Sequence, residues 1–483
     1  MSALKGADIG ILGLGTSGIA AAEVLTTLGA KVSAYESNED ALEKAQASLG
    51  TGISFVHTTS PQDFAERAVA GGHSLYITSP GISVLSPVRL GLVKAGRRVI
   101  SEVELAWRLY SEGVTPRIPW LTLTGTNGKT TTVRLLAHML IARGTVSTAV
   151  GNVGTPIVQV VAEGACDVLA VELSSFQLHD TYSVSPWASA CLNVAPDHID
   201  WHGSFDAYVA DKARVYERTQ KACVYNEADS RTLKMVEEAD VIEGCRAVSV
   251  TCGAPDVSQL GIIEDVLVDR AFLETRHKQA LELATFADLE HLTGGVTPST
   301  ALLTDVLTAA ALARAYGVEP EYVRQGLRDF ELDAHRRQLV ATVGGVSYID
   351  DSKATNAHAA QASLQDISPG TAVWIAGGLA KGQDFTDLVK AIAPKLKAVV
   401  LIGEDQAPFL SALGNEAADT PVFCIEGKDD VMKRAVGRAA EVATPGDSVV
   451  LAPASASWDQ FENYAQRGHD FADAVEFLGA KRE

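Results

Sequence analysis

Short apolar runs alternate with amphipathic stretches from one end of the chain to the other. In residues 1–112 the runs Ile9–Leu12, Lys31–Ala34, Ile53–Val56, Leu75–Thr78 and Val99–Ile100 read as strands, and Ile19–Thr27 carries an alanine-rich apolar face at helical spacing. This rhythm predicts a parallel sheet with helices on its faces. Thr115-Pro116-Arg117-Ile118-Pro119 reads as a linker because two prolines interrupt regular structure. Beyond it, strands are expected at Trp120–Leu123, Val168–Leu173, Ala188–Val194 and Ala222–Tyr225, and helices at Val133–Ile141, Phe205–Glu217 and Leu302–Tyr316. Residues 255–295 are left unassigned. From about 333 the alternation returns, with strands at Ser347–Ile349, Ala372–Ile375, Ala398–Ile402 and Ser448–Leu451 and a helix at Asp430–Val442. The pattern predicts an α/β protein of three domains, 1–112, 113–332 and 333–483, the first and last sharing one fold type.

Composition narrows the functional classes. At 483 residues the chain exceeds what one core organises. No apolar run approaches the roughly 18 residues of a membrane helix, and Ile9-Gly10-Ile11-Leu12 suits a buried first strand better than a signal peptide. The six cysteines lie scattered without a C-x-x-C pair, which fits reduced thiols in a cytoplasmic protein. A net charge of −20 argues against nucleic acid or anionic membrane as a partner. Any phosphate site must therefore concentrate its cations locally.

The central chemistry lies at Gly125-Thr126-Asn127-Gly128-Lys129-Thr130-Thr131, between an apolar strand and a helix. Glycines let backbone N–H groups close around phosphate oxygens, and the helix N-terminus adds its dipole. Lys129 can reach terminal phosphates and Thr130 can offer a hydroxyl to Mg²⁺. The match to G-x-x-x-x-G-K-[ST] is imperfect, because Leu123 stands where the first glycine belongs. A second Gly-rich turn, Gly13-Leu14-Gly15-Thr16-Ser17-Gly18, precedes a helix, with Glu36 at the end of the next strand. Its local sequence suits the diphosphate of NAD and of a UDP group equally. The first would make the chain a dehydrogenase, but the phosphate loop favours an ATP-using reaction.

Further clusters follow. Asn152 sits in the turn Gly151-Asn152-Val153-Gly154, where it either shapes the turn or meets a ligand. Glu172 and His198 stand at strand ends, which face ligand crevices in open α/β sheets. A carboxylate there suits Mg²⁺, whereas His198 alone fits a metal ligand and a core histidine equally. Lys212, read alone, is a solvated helical charge.

Taken in order, Gly-Thr-Asn-Gly-Lys-Thr, Gly-Asn-Val-Gly, Glu-Leu-Ser-Ser-Phe-Gln and Asn-Val-x-x-Asp-His resemble the Mur ligases, which form amides of the peptidoglycan peptide with ATP. Ala334-His335-Arg336-Arg337, Asp350-Asp351-Ser352-Lys353-Ala354-Thr355-Asn356, Gly377–Gly382 and Ser455-Ala456-Ser457-Trp458-Asp459-Gln460-Phe461 extend the resemblance over nearly the whole chain. It implies a Rossmann-like UDP-substrate domain, a central P-loop ATPase domain and a Rossmann-like C-terminal domain that receives the amino acid. The implied substrates are UDP-N-acetylmuramoyl-L-alanine, D-glutamate and ATP, with two Mg²⁺ sites, in a cytoplasmic monomer. Ser17, Glu36, Ser79 and Gly81 would contact the UDP end, with Asn152 also on substrate. Lys129 would hold the γ-phosphate. Thr130 and Glu172 would share one Mg²⁺, and His198 and a carbamylated Lys212 the other. Arg336 and Asp351 would position ATP. Lys353, Thr355, Lys381, Ser457 and Tyr464 would surround D-glutamate. Asp305 stands where the family carries an adenine-contacting Asn, and a carboxylate accepts but cannot donate. Tyr464 replaces a common Phe. Ligands bound between linked segments predict domain closure on ATP binding.

Overall fold

The computed structural model of the chain describes residues 4–50, 52–293, 297–332, 335–380 and 382–482. Apolar strands pair into three mainly parallel sheets, each from a consecutive stretch. The first holds β1 (Asp8–Leu12), β2 (Lys31–Glu36), β3 (Ile53–His57), β4 (Leu75–Thr78) and β5 (Val99–Ser101) in the order β3-β2-β1-β4-β5. The second holds β6 (Trp120–Thr124), β7 (Ser147–Gly151), β8 (Val168–Glu172), β9 (Ala188–Cys191), β10 (Ala222–Asn226), β11 (Arg246–Val250), β12 (Gln259–Ile263), β13 (Val266–Asp269) and β14 (Leu281–Thr285). Its order is β14-β13-β12-β11-β10-β9-β6-β8-β7. The third holds β15 (Gln338–Val343), β16 (Val346–Asp350), β17 (Ala372–Gly377), β18 (Leu396–Ile402), β19 (Val422–Cys424) and β20 (Ser448–Leu451), ordered β15-β16-β20-β17-β18-β19.

The expected strands all form, with ends shifted by up to three residues. Phe205–Glu217 differs, because its α-helix stops at Ala213 and Arg214–Tyr216 continue as a 3₁₀ turn. Residues 255–295, unassigned by period, carry β12, β13 and β14, an antiparallel extension of the central sheet. Their burial does not follow strict alternation; Leu260, Gly261 and Ile262 are all buried, which is why no period-2 signal marks them.

The chain packs as two compact units, residues 1–289 with 302–330, and residues 290–301 with 331–483. Within the first unit, buried polar contacts join the first two sheets. Arg89 makes a bidentate pair with Asp180 at 2.8 and 2.6 Å. Glu104 accepts from the backbone N–H groups of Tyr182 and Ser183 and from the Ser183 hydroxyl, each at 2.8 Å. Trp107, Tyr110 and Trp120 stack edge-to-face across the same boundary. All six cysteines are free thiols. Among the described residues, no helix is long and apolar enough to cross a membrane.

Candidate active site

The central sheet sets the site by register. Leu123 of β6 lies opposite Glu172 of β8, and Thr124 lies opposite Cys191 of β9. The loops after these three strands therefore leave the same sheet end side by side, as a switch-point crevice requires.

The first is the phosphate loop. Gly128 has φ 82° and caps the helix Lys129–Ala142. A Cβ there would run into the Asp305 carboxylate, so the position tolerates only glycine. Asp305 thus lies against the loop itself. Asn193, which the sequence left without a role, clamps this loop. Its Oδ1 accepts from Thr126 N–H at 3.1 Å and Asn127 N–H at 2.9 Å, and its Nδ2 donates to the Asn127 carbonyl at 3.2 Å. Lys129 opens the helix and folds back, donating to the Gly125 and Thr126 carbonyls, both at 2.9 Å. Thr130 and Thr131 follow it in the first turn.

The second is the turn after β8. Glu172 is 1% exposed. Its Oε1 accepts from Asn152 Nδ2 at 2.9 Å, while its buried Oε2 has no hydrogen-bond partner. Asn152 also donates its backbone N–H to the Glu172 carbonyl at 2.9 Å, so it steadies the acid from β7's end. Ser174 and Gln177 form a reciprocal capping box on the helix Ser175–His179. That gives the Glu-Leu-Ser-Ser-Phe-Gln string a structural reason as well as a chemical one.

The third carries His198, which has φ 51° and caps the four-residue helix Ile199–His202. Its imidazole is about half exposed and lies 4.8 Å from the Phe176 ring. Partial burial, with Lys129 and Lys212 adding to it, lowers its pKa below the ordinary value. A neutral imidazole is the form that binds metal.

Lys212 reaches this place from the helix Phe205–Ala213. It is 2% exposed and donates to the Gly125 carbonyl at 2.7 Å, the oxygen that Lys129 also uses. Burial, then the Lys129 charge, pushes its pKa down to about 7. Read alone such a lysine is a solvated charge, and only the family resemblance gave it a role; the structure buries it. Lys129, Glu172, His198 and Lys212 therefore converge, each within electrostatic reach of others in the set. Among the described residues no cluster of three His, Cys, Asp or Glu side chains stands ready for a metal. A hydroxyl, one carboxylate, one imidazole and a lysine escape that pattern.

In the first sheet's domain, an open cleft of about 750 Å³ is lined by Leu14, Gly15, Thr16, Glu36, Lys44 and, from the central domain, Gln159. Glu36 accepts from the N–H groups of Leu14 at 2.6 Å, Ser37 at 2.8 Å and Asn38 at 2.9 Å. Ser17 lies in the first turn of the helix Thr16–Thr27. The Ser79 hydroxyl donates to the Gly13 carbonyl at 2.9 Å, and Gly81 is exposed in the same turn.

The second compact unit holds the remaining expected residues. Lys353 Nζ stands 5.3 Å from the Tyr464 ring centre. The Thr355 backbone N–H donates to the Lys353 carbonyl at 2.9 Å, and Ser457 is buried. Burial pushes Asp351 up to about 6, opposed by Ser363, Arg337 and Arg336. Arg467 stands in the string Gln466-Arg467-Gly468-x-x-Phe471, which resembles the family, but the sequence left it without a role. Fully buried, it donates to the Ser352 hydroxyl at 2.9 Å, the Ser352 carbonyl at 2.7 Å and the Ser455 carbonyl at 3.1 Å. It ties the Lys353 turn to the Ser457 turn. Lys381 lies outside the described residues.

The chain is similar to known proteins along nearly its whole length. Residues 123–286 match the Mur ligase middle domain and residues 335–455 the Mur ligase, glutamate ligase domain. Residues 1–83 match the alanine dehydrogenase/PNT C-terminal domain. The UDP-N-acetylmuramoylalanine–D-glutamate ligase of Streptomyces avermitilis is 49% identical over 99% of this chain and 100% of its own. That of Thermobifida fusca is 44% identical over 98% and 99%. Among solved structures, the UDP-N-acetylmuramate–alanine ligase of Thermotoga maritima aligns with TM-score 0.55 at 15% identity, covering 98% of this chain and 99% of that one. A pseudomurein peptide ligase type C from Methanothermus fervidus gives TM-score 0.54 at 15% identity over 98% and 100%. These two likenesses speak for the fold.

Proposed function

The chain belongs to the Mur ligase family of UDP-N-acetylmuramoylalanine–D-glutamate ligases, and we propose that it joins D-glutamate to UDP-N-acetylmuramoyl-L-alanine while converting ATP to ADP and phosphate, in peptidoglycan precursor synthesis. The observation that carries this reading is the convergence of Lys129, Glu172 and Lys212 at the phosphate loop. We take residues 1–112 as the Rossmann-like UDP-substrate domain, 113–332 as the P-loop ATPase domain and 333–483 as the Rossmann-like amino-acid domain.

The chemistry has two displacements. The L-alanyl carboxylate attacks the γ-phosphorus; an acyl phosphate forms and ADP leaves. The amine of D-glutamate then attacks the acyl carbon, the C–N bond forms, phosphate departs and the amine gives up its proton. Anion meeting anion is the difficulty in the first step. Lys129 would exchange the Gly125 and Thr126 carbonyls for phosphate oxygens, at a helix N-terminus that favours the same charge. The orphaned Oε2 of Glu172 needs a cation or donor, which supports Mg²⁺ beside Thr130. Bound there, Mg²⁺ neutralises charge on the phosphoryl oxygens. Lys212, with its pKa near 7, has the neutral amine that carbamylation by CO₂ requires; the carbamate would turn it into an oxygen ligand alongside His198. Separate cations, Lys353 and Lys381, suit the two carboxylates of D-glutamate, with Thr355, Ser457 and Tyr464 around them. Arg336, Asp351 and Asp305 are assigned to ATP. Glu36, Ser17, Ser79 and Gly81 are assigned to the UDP end, and Asn152 to the substrate side of Glu172. Delivery of the amine is assigned to the C-terminal amino-acid domain.

A dehydrogenase reading draws on the match of residues 1–83, but a helix N-terminus for a diphosphate serves UDP equally. The deciding experiment is phosphate release with ATP, the UDP-muramoyl acceptor and a panel of amino acids. Release is expected with D-glutamate only. Equal release with L-glutamate, or release without acceptor, overturns the assignment. Quenching or enhancement of NADH fluorescence by the protein would favour the dehydrogenase.

A further inference from the structure

Beside the site runs a buried polar chain that the reaction does not use. The carboxylate of Asp211 meets Nδ1 of His202 at 2.7 Å, and Nε2 of His202 meets the Ser175 hydroxyl at 3.0 Å. The same carboxylate meets Nδ1 of His179 at 2.9 and 3.0 Å. Ser175, His202 and Asp211 are 2%, 6% and 8% exposed. A carboxylate only accepts, so both facing Nδ1 atoms carry protons.

Serine, histidine and aspartate joined in this order are familiar from acyl transfer. Here the serine is sealed from solvent and no substrate reaches it, so nucleophilic chemistry is excluded. The placement of the three members points elsewhere. Ser175 follows Glu172 on the turn after β8. His202 closes the four-residue helix that His198 opens. Asp211 immediately precedes Lys212 on the helix Phe205–Ala213. Each member thus lies within four residues of one of the assigned ligands along the chain, and the hydrogen bonds tie those three segments together. Phe176 packs on the same set, 4.8 Å from His198 and 5.6 Å from His202.

Resting on the proposed reading of the site, we propose that Ser175, His202 and Asp211 are positioning residues that hold Glu172, His198 and Lys212 at the separations the divalent cation requires. Stability alone does not call for such a chain. Buried polar groups lose solvation, and apolar packing of similar volume is often as stable. What directional hydrogen bonds add to the aromatic packing of these elements is a fixed register between them. Outer partners of metal ligands act in this way, and their loss typically costs about 10–100-fold in metal affinity or activity.

The test uses full-length Asp211→Ala and Ser175→Ala, with Ser175→Thr as the conservative variant. Mn²⁺ affinity in the presence of ADP is read by electron paramagnetic resonance, the Lys212 carbamate by ¹³C NMR in ¹³C-bicarbonate, and turnover by phosphate release. Expected are a Mn²⁺ dissociation constant raised about 10-fold or more, a weaker carbamate signal and a kcat lowered about 10–100-fold. The KM for D-glutamate should not move, and Ser175→Thr should recover most of the loss. Should Asp211→Ala fail to fold, Ser175→Ala decides alone, because it removes one hydroxyl. Mn²⁺ affinity within twofold of wild type in the folded variants overturns the proposal, even if their melting temperatures fall. Wild-type protein that neither binds Mn²⁺ with ADP nor releases phosphate overturns the functional reading, and this one with it.

Discussion

Replacing Lys212 with methionine tests the buried amine directly. In the folded protein its pKa falls from 10.5 to about 7, chiefly through burial and then through Lys129. Between these values the unfolded chain binds the proton and the folded one does not, so this group makes stability rise with pH. At pH 7 the depressed amine holds back roughly 4 kcal/mol of folding free energy, and at pH 9 roughly 2 kcal/mol, by linkage. In bicarbonate-free buffer, wild type should therefore gain about 2 kcal/mol from pH 7 to 9 beyond whatever Lys212→Met gains. Denaturant unfolding of both proteins at the two pH values measures the difference. The same shift leaves about three-quarters of the amine neutral at pH 7.5, against about one part in a thousand for an ordinary lysine. A carbamate resonance should then appear in ¹³C-bicarbonate with wild type and be missing in the variant, which should not turn over. A short carboxylate should restore part of that turnover. Parallel pH curves for the two proteins would refute the claim that Lys212 is depressed, and full turnover by Lys212→Met would refute its role.

Three other substitutions follow from particular contacts. Glu172→Gln should lower kcat by roughly 10²–10³-fold, while its melting temperature holds or rises because a neutral amide costs less to bury than a half-partnered carboxylate; phosphate release and calorimetry check the two halves. Gly128→Ala forces a left-handed φ on a side chain that also meets Asp305, so ATP binding measured by titration calorimetry should be lost. Arg89→Met strands the buried Asp180 and should destabilise the first unit by about 3–5 kcal/mol, with most of that regained in Arg89→Met/Asp180→Leu; denaturant midpoints decide it.

Parallel strands announced themselves because they are buried on both faces and read as unbroken apolar runs, as Val168–Glu172 and Ala372–Gly377 do. β12–β14 stayed hidden because their hairpin turns lack Asn-Gly or Gly-Gly pairs and their burial breaks alternation. In the site, Lys129, Glu172 and His198 were legible from their places in short motifs at strand ends. Lys212 was not, since nothing local separates a buried helical lysine from an exposed one; only the packing of Tyr208 and the phosphate loop around it does so. Asn193 and Arg467 stood in strings that resemble the family, but their roles were illegible for another reason. Their partners are backbone groups of distant turns, and a backbone partner leaves no mark in composition or spacing.

The acidity of the chain acquires a meaning at Gly125. With 60 acidic and 40 basic side chains, a general positive field cannot draw a triphosphate in. Instead two lysines converge on one carbonyl oxygen, one of them sealed from water. Two ammonium groups held that close repel, and burial sharpens the repulsion. The strain resolves in either of two ways: Lys212 gives up its proton, or an anion arrives between them. The first outcome opens the route to a carbamate, and the second is polyphosphate binding. Under the proposed function, one arrangement would prepare both the ligand and its site, with two charges where a basic surface would need many. A lysine pair built this way also predicts competition. Raising the pH through 7 should weaken binding of inorganic pyrophosphate to carbonate-free protein, because Lys212 then loses the charge that would meet it.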